Sequence, residues 1–464
     1  MKGKAALLLI IALTVGISWS SQTVAEVPSP TVIGPIQEND VPGDPGRDYI
    51  FFTPIEDLSA YGYIEEEFFI NGLADNWLTS DLEKISYTTR IVVRRPVSNK
   101  RFNGMILLEW QNVTGGYDKD VHWSYSWEHF MRSGYAWVGV SVQGESYGQG
   151  PVGVDYLKEW SPDRYGDLDV TGIGALVNCE LCMDIFSQAA QAVRNPNPVD
   201  PDPMGGLKVR EVIAVGASQS QWNLVWYHNF THPKHQVVDA FLLFLGVGAY
   251  SGTLMDSDVK VFKVNTETDI AFLGEGGVRQ PDSDRLRTWE VAGASHNDWD
   301  SRLYREPIWA REGIPIIAPE EYPCYLPVYS RVPVRYVLNA ALDHLVRWVR
   351  EETLPPGAPP IEGADYSSIQ RDVYGNALGG IRLPPFDVPT ATNTGVNGGP
   401  EGSYCYLNGS YQPFDDDLLK DLYRNHGAYV SKFNHSVNKN LNAGYILKED
   451  AKEMRVDAAH AEVP

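Results

Sequence analysis

Ser218 sits in Gly216-Ala217-Ser218-Gln219-Ser220, directly after the β-branched run Glu211-Val212-Ile213-Ala214-Val215 and directly before a helical run, 221–228. Strand, tight turn and helix are the context that exposes a serine hydroxyl on a sharp bend. The chemistry available there is nucleophilic attack, provided that a base and an oxyanion hole stand beside the serine. The usual pattern closes on Gly. Here Ser220 holds that place, the next smallest side chain. Taken alone, the pentapeptide also reads as a plain turn, so its meaning depends on partners elsewhere.

In such an arrangement the acid follows a later strand and the base follows the last one. The strand-like run 259–264 leads into Asn265-Thr266-Glu267-Thr268-Asp269, with two carboxylates. Asp269 stands where the turn aims back toward the serine and is the preferred acid; Glu267 is the alternative. The run 286–291 leads into Ala292-Gly293-Ala294-Ser295-His296. Of the 10 histidines, His296 is the one that ends a late predicted strand, the position expected of a general base. The oxyanion donors expected are the N–H of Gln219 and that of Asn112 or a neighbour, in a loop that Gly115 and Gly116 let bend close. His228, His232 and His235 have a spacing that suggests a metal face, but Pro233 breaks the helix between them and no acid stands at helical spacing. Neither a metal nor another cofactor is expected.

The elements that must position these residues follow from the pattern. Strands are expected at 49–52, 65–71, 87–95, 105–110, 136–142, 208–215, 238–245, 259–264 and 286–291. Helices are expected at 123–133, 184–194, 221–228, 334–351 and 415–441. From residue 104 onward strands alternate with helices. That predicts an α/β fold, a doubly wound and mostly parallel sheet. Residues 26–47, rich in Pro and Gly, read as a linker or extended arm, and 48–310 as the core. Within it, 143–178 is an insertion placed to act as a lid, and 311–464 is a C-terminal extension packed on the core. Trp110, Trp123, Trp222 and Trp299 flank the motifs, divided between an aromatic rim and plain core.

Composition sets the address. The net charge is −22 over 464 residues, which repels phosphate backbones and argues against nucleic acid as a partner. Residues 1–25 read as a secretory signal, with Lys2 and Lys4 before a short apolar run and Thr23-Val24-Ala25 for cleavage. The run is short for a membrane span, so no stable anchor is expected after cleavage, and the location is secreted or periplasmic. In that compartment Cys179 and Cys182 are expected to pair locally, and Cys324 with Cys405. Sequons occur at Asn112, Asn229, Asn408 and Asn434; a glycan at Asn112 would block the serine.

The Glu109-Trp110-Gln111-Asn112-Val113 loop, the Ser218 pentapeptide, Thr266-Glu267-Thr268-Asp269, Gly293-Ala294-Ser295-His296 and the segment 371–382 resemble the α/β-hydrolase superfamily. They are closest to its exported "alpha/beta hydrolase domain-containing" group. The resemblance runs from about residue 48 to the end and implies Ser-His-acid chemistry on Ser218, His296 and Asp269. A secreted serine hydrolase acting on small carboxylic esters through an acyl-enzyme is therefore the expected function. An acyltransferase with the same residues, or a non-catalytic binding or adhesion protein on the same fold, is the alternative. Oligomeric state has no signature in the chain.

Overall fold

The computed structural model describes residues 25–76, 84–144, 151–170 and 179–463. The expected signal, 1–25, lies outside them but for its last residue, as do 145–150 and 171–178 of the insertion.

Nine strands form one sheet: β1 (Thr31–Ile33), β2 (Tyr63–Asp75), β3 (Lys84–Pro96), β4 (Met105–Trp110), β5 (Ala136–Val140), β6 (Glu211–Ala217), β7 (Ala240–Phe244), β8 (Lys260–Thr266) and β9 (Leu286–Val291). Their order is β1-β2-β3-β5-β4-β6-β7-β8-β9. The pairs β1–β2, β2–β3 and β3–β5 are antiparallel. From β5 through β4 to β9 every pair is parallel. β4, β5, β7 and β8 are buried along their whole length, as strands covered on both faces must be. Successive residues point to opposite faces. Thus Glu109 of β4 meets His122 at 3.3 Å, while Trp110 packs on Phe186 at 5.2 Å between ring centroids. Helix Val121–Ser133 therefore covers one face and helix Cys182–Arg194 the other. The sheet is doubly wound.

The β2–β3 hairpin carries buried charge. Arg90 pairs with Glu67 at 3.1 Å and with Asp118 at 3.3 Å. Arg94 pairs with Glu65 at 2.5 Å and with Asp120. Each of these buried guanidiniums is met by two carboxylates, so burial leaves no charge uncompensated.

Several expectations change. Of the two readings of 26–47, linker or extended arm, the second fits β1, which pairs with β2 and makes the sheet's outer edge. Residues 49–52 form a turn rather than a strand, with Phe52 at φ 65°. Their aromatic rings pack inward instead, Phe51 on Trp160 at 5.0 Å and Tyr49 on Trp160 at 5.2 Å. Helix Arg335–Glu351 belongs to the extension expected to pack on the core. It packs on β7, β8 and helix Val121–Ser133, and Lys260 Nζ donates to Trp348 O at 2.6 Å. Ile381 bridges Val291 in parallel and so covers the β9 edge, an open edge being a template for aggregation. The helix expected over 415–441 is two, Asp416–Leu422 and His426–Ala443, because the Asn425 side chain caps the second by accepting from Ala428 N.

Disulfides join Cys179 to Cys182 and Cys324 to Cys405, as an oxidising compartment allows. Among the described residues no helix is long and apolar enough to cross a membrane.

Candidate active site

β6 ends at Ala217 and helix Gln219–Trp226 begins at Gln219, so the chain reverses within one residue. That residue is Ser218, at φ 59° and ψ −122°. A non-glycine residue there carries strain of about 1–3 kcal/mol, which the surroundings must hold in place. Two features do so. The Ser218 N–H donates to Phe244 O and Leu245 O at 3.1 and 3.0 Å. Ser220 Oγ accepts from Ala217 N at 2.9 Å and donates to Ala217 O at 2.8 Å. Gly216 is required by space: a Cβ there would lie 2.7 Å from Leu224 Cδ1. Ser220 thus replaces the usual glycine and braces the turn as well.

Asp269 follows β8 in a one-turn helix, Glu267–Ala271. One of its oxygens, Oδ2, accepts the Thr266 N–H at 2.7 Å. The other, Oδ1, is 2.7 Å from His296 Nδ1. Because a carboxylate only accepts, His296 Nδ1 carries the proton and Nε2 is left as acceptor. Nε2 is 2.8 Å from Ser218 Oγ. Ser218, His296 and Asp269 are thereby brought into one hydrogen-bonded chain. Glu267 is directed elsewhere. Its Oε2 accepts from Gly293 N at 2.8 Å and its Oε1 pairs with Arg371 at 2.7 Å.

Gln219 is the first helical residue, so its N–H has no acceptor within the helix. Its side chain is tied by Nε2 to Gln143 Oε1 at 2.9 Å. Asn112 stands beside the serine turn, but not as expected. Its N–H donates to Lys119 O at 3.2 Å, and its Nδ2 donates to Ala217 O at 2.9 Å. The Asn112 N–H is therefore occupied. The N–H of its neighbour Val113 has no partner among the described residues. Buried and bonded in this way, the Asn112 amide has no room for a glycan.

The match to the model of the alpha/beta hydrolase domain family spans residues 32–456. The chain belongs to that family. None of the curated proteins compared matches this α/β hydrolase. Among solved structures, a cold-adapted esterase from an Arctic intertidal metagenomic library is similar over 54% of this chain and 94% of its own, at 11% identity and a TM-score of 0.28. A fungal esterase from Rhizomucor miehei is similar over 54% and 82%, at 11% identity and a TM-score of 0.28. Est1E from Butyrivibrio proteoclasticus, solved with ferulic acid, is similar over 48% and 93%, at 12% identity and a TM-score of 0.27.

In this α/β hydrolase Ser218 and His296 face a cavity of about 330 Å³, the size of a small-molecule site. None of the four tryptophans named from sequence lines it. Trp110 and Trp123 are fully buried core, and Trp222 stacks on Tyr250 at 5.1 Å. The aromatic wall is made instead by Tyr117, Tyr125, Trp309, Tyr322, Tyr329 and Tyr404. The described part of the insertion, 143–144 and 151–170, does not line the cavity either. It packs on the antiparallel strands, where Arg164 meets Glu67 at 2.7 Å. The wall comes from residues 112–125, from the helix Trp299–Glu312 and from residues 317–329 and 404–408. Arg302, Arg305 and Trp309 fall on one side of that helix. Their spacing of three and four after the His296 loop was a signal in the sequence that periodicity alone did not single out.

His228, His232 and His235 are engaged with hydroxyls and a ring, His228 and His232 both packing on Phe241. His228 Nε2 is 2.8 Å from Ser257 Oγ, His235 Nδ1 is 2.7 Å from Ser187 Oγ, and the His232 ring packs edge-on against Phe241 at 5.3 Å.

Proposed function

We propose that the protein is a secreted serine hydrolase that cleaves carboxylic esters, with Ser218 as nucleophile, His296 as base and Asp269 as the acid that orients it. The observation that carries this reading is the Ser218–His296–Asp269 chain, at 2.8 and 2.7 Å, on the wall of a cavity. In the reaction Ser218 Oγ attacks the ester carbonyl while His296 Nε2 takes the hydroxyl proton. The Gln219 N–H and the Val113 N–H hold the oxyanion. Collapse breaks the bond to the alcohol, and His296 returns the proton to that leaving oxygen. Water, deprotonated by the same nitrogen, then attacks the acyl-enzyme and releases the acid and Ser218. Asp269 stabilises the imidazolium formed at each step. Secretion is supported by the signal-like residues 1–25 and by the two disulfides.

Two measurements test the reading. Purified protein is expected to react with a fluorophosphonate at Ser218 and to hydrolyse short 4-nitrophenyl esters, and Ser218→Ala is expected to lose both. Folded protein that takes no label would speak for a non-catalytic binding protein. Label without hydrolysis, but with transfer of the acyl group to an added alcohol, would speak for an acyltransferase.

A further inference from the structure

Among the described residues, the cavity beside Ser218 is lined by three cations, Lys119, Arg302 and Arg305, and by no aspartate or glutamate. The chain as a whole holds 60 acidic residues and 38 basic ones. A wall made only of the minority sign is a local arrangement, not a reflection of composition.

The two arginines also depart from the way this protein treats its other buried guanidiniums. Arg90 and Arg94 each meet two carboxylates. Arg305 is only 7% exposed, yet among the described residues no carboxylate comes within ion-pair distance of it. Its Nη2 donates to Ser124 Oγ at 2.8 Å, its guanidinium lies 5.9 Å from the Tyr125 ring, and its buried Nε has no hydrogen-bond partner. Asp120, the acid whose charge reaches it, is paired with Arg94. Arg302, 2% exposed, donates to Tyr329 Oη at 3.3 Å. Among the described residues its single acidic neighbour is Glu306, 42% exposed, 3.1 Å from Nε, and its buried Nη2 has no hydrogen-bond partner. A buried charge without a counter-ion is costly unless something fills the place. Lys119 shows the same deficit: burial, and then Arg305, push its ammonium down to about 7.

We propose that the ester taken by this site keeps a free carboxylate, held by Arg305 and Arg302 on the cavity wall. The planar guanidinium presents paired donors that match a carboxylate. Helix Trp299–Glu312 starts three residues after His296, so both arginines are built onto the element that continues from the base. The inference rests on the hydrolase reading above.

Matched esters test it. Mono(4-nitrophenyl) glutarate is compared with 4-nitrophenyl pentanoate for a carboxylate in the acyl half. For one in the alcohol half, 4-acetoxybenzoate is compared with its methyl ester. In one of these pairs the charged ester is expected to exceed its neutral partner in kcat/KM by about tenfold or more, the worth of one charged hydrogen bond. Arg305→Gln is expected to lower that ratio by about tenfold, and Arg305→Lys to recover part of it. A measurement that needs no variant stands beside these: glutarate is expected to slow fluorophosphonate labelling of the wild-type protein more than pentanamide does. Ratios at or below one in both pairs, in protein that labels at Ser218, overturn the carboxylate and leave the hydrolase intact. Protein that does not label overturns the hydrolase and this inference with it.

Discussion

Asp269 and Glu267 stand two residues apart, and their partners separate them. Asp269 reaches His296 Nδ1 at 2.7 Å; Glu267 holds Gly293 N and Arg371. Different losses follow from removing each charge. In Asp269→Asn the amide can still accept from Thr266 N, but it favours the tautomer with the proton on Nε2, facing Ser218. Steady-state kinetics are expected to show kcat lower by about 10⁴-fold with the fold retained. Glu267→Gln removes one member of a buried ion pair, and urea denaturation is expected to show a loss of about 3 kcal/mol. Activity of the folded fraction should change far less. A large kcat loss in Glu267→Gln without loss of stability would reverse the two roles. The sequence held both carboxylates in one loop and preferred Asp269. It could not rank them by contact, since which oxygen meets the imidazole depends on how the loop turns after β8.

At the scale of elements, the serine turn and the start of helix Trp299–Glu312 are the two places where local structure sets the site. Ser220 closes the turn with two hydrogen bonds to Ala217. Ser220→Gly would restore the common motif, yet it removes both bonds and adds backbone freedom inside a helix. Thermal unfolding is expected to show a loss of about 1–3 kcal/mol. A stability gain instead would mean that the bonds contribute nothing. Asp298 caps the second helix by accepting from Ser301 N. Burial first, and Asp300 second, push its carboxyl up to about 7. The sign follows from linkage. The folded chain keeps a proton that the unfolded chain releases near the ordinary carboxyl value of 3.8, so stability from this group falls as pH rises from about 4 to 7. Asp298→Asn keeps the cap and removes the titration. Denaturation measured across that window should lose less stability with rising pH than the wild type does, and parallel curves would show that the group does not matter.

The whole molecule closes the cavity with pieces far apart in sequence. Tyr322 on one side, and Tyr404, Leu407 and Asn408 on the other, line it. The Cys324–Cys405 disulfide, spanning 81 positions, ties the two sides together. Asn297, next to His296, donates from its N–H to Leu407 O at 2.8 Å and from Nδ2 to Asn408 Oδ1 at 3.0 Å. Closing a loop of that length is worth about 4.5 kcal/mol by chain entropy. The double variant Cys324→Ser with Cys405→Ser is expected to unfold at a lower temperature. It is also expected to show a raised KM, because the wall loosens around an intact Ser218–His296 pair. A lowered Tm with unchanged KM would confine the disulfide to stability.

By itself, the sequence determined the strand–turn–helix around Ser218, the order Ser, acid, His, and the mostly parallel sheet behind them. These are local: each needs only a run of β-branched residues, a small-residue turn and its neighbours in the chain, and periodicity records such runs directly. The tertiary structure decided what depends on contacts between distant segments. It ties up the Asn112 N–H with Lys119, folds 49–52 inward onto Trp160, and decides which residues of the C-terminal extension cover the sheet and which line the cavity. It also sets Lys119, Arg302 and Arg305 together beside Ser218, although 183 positions separate Lys119 from Arg302 in the sequence. Side chains that share no periodicity meet only when the sheet sets the ends of β4, β6 and β9 along one edge, and that same convergence places His296 against Ser218.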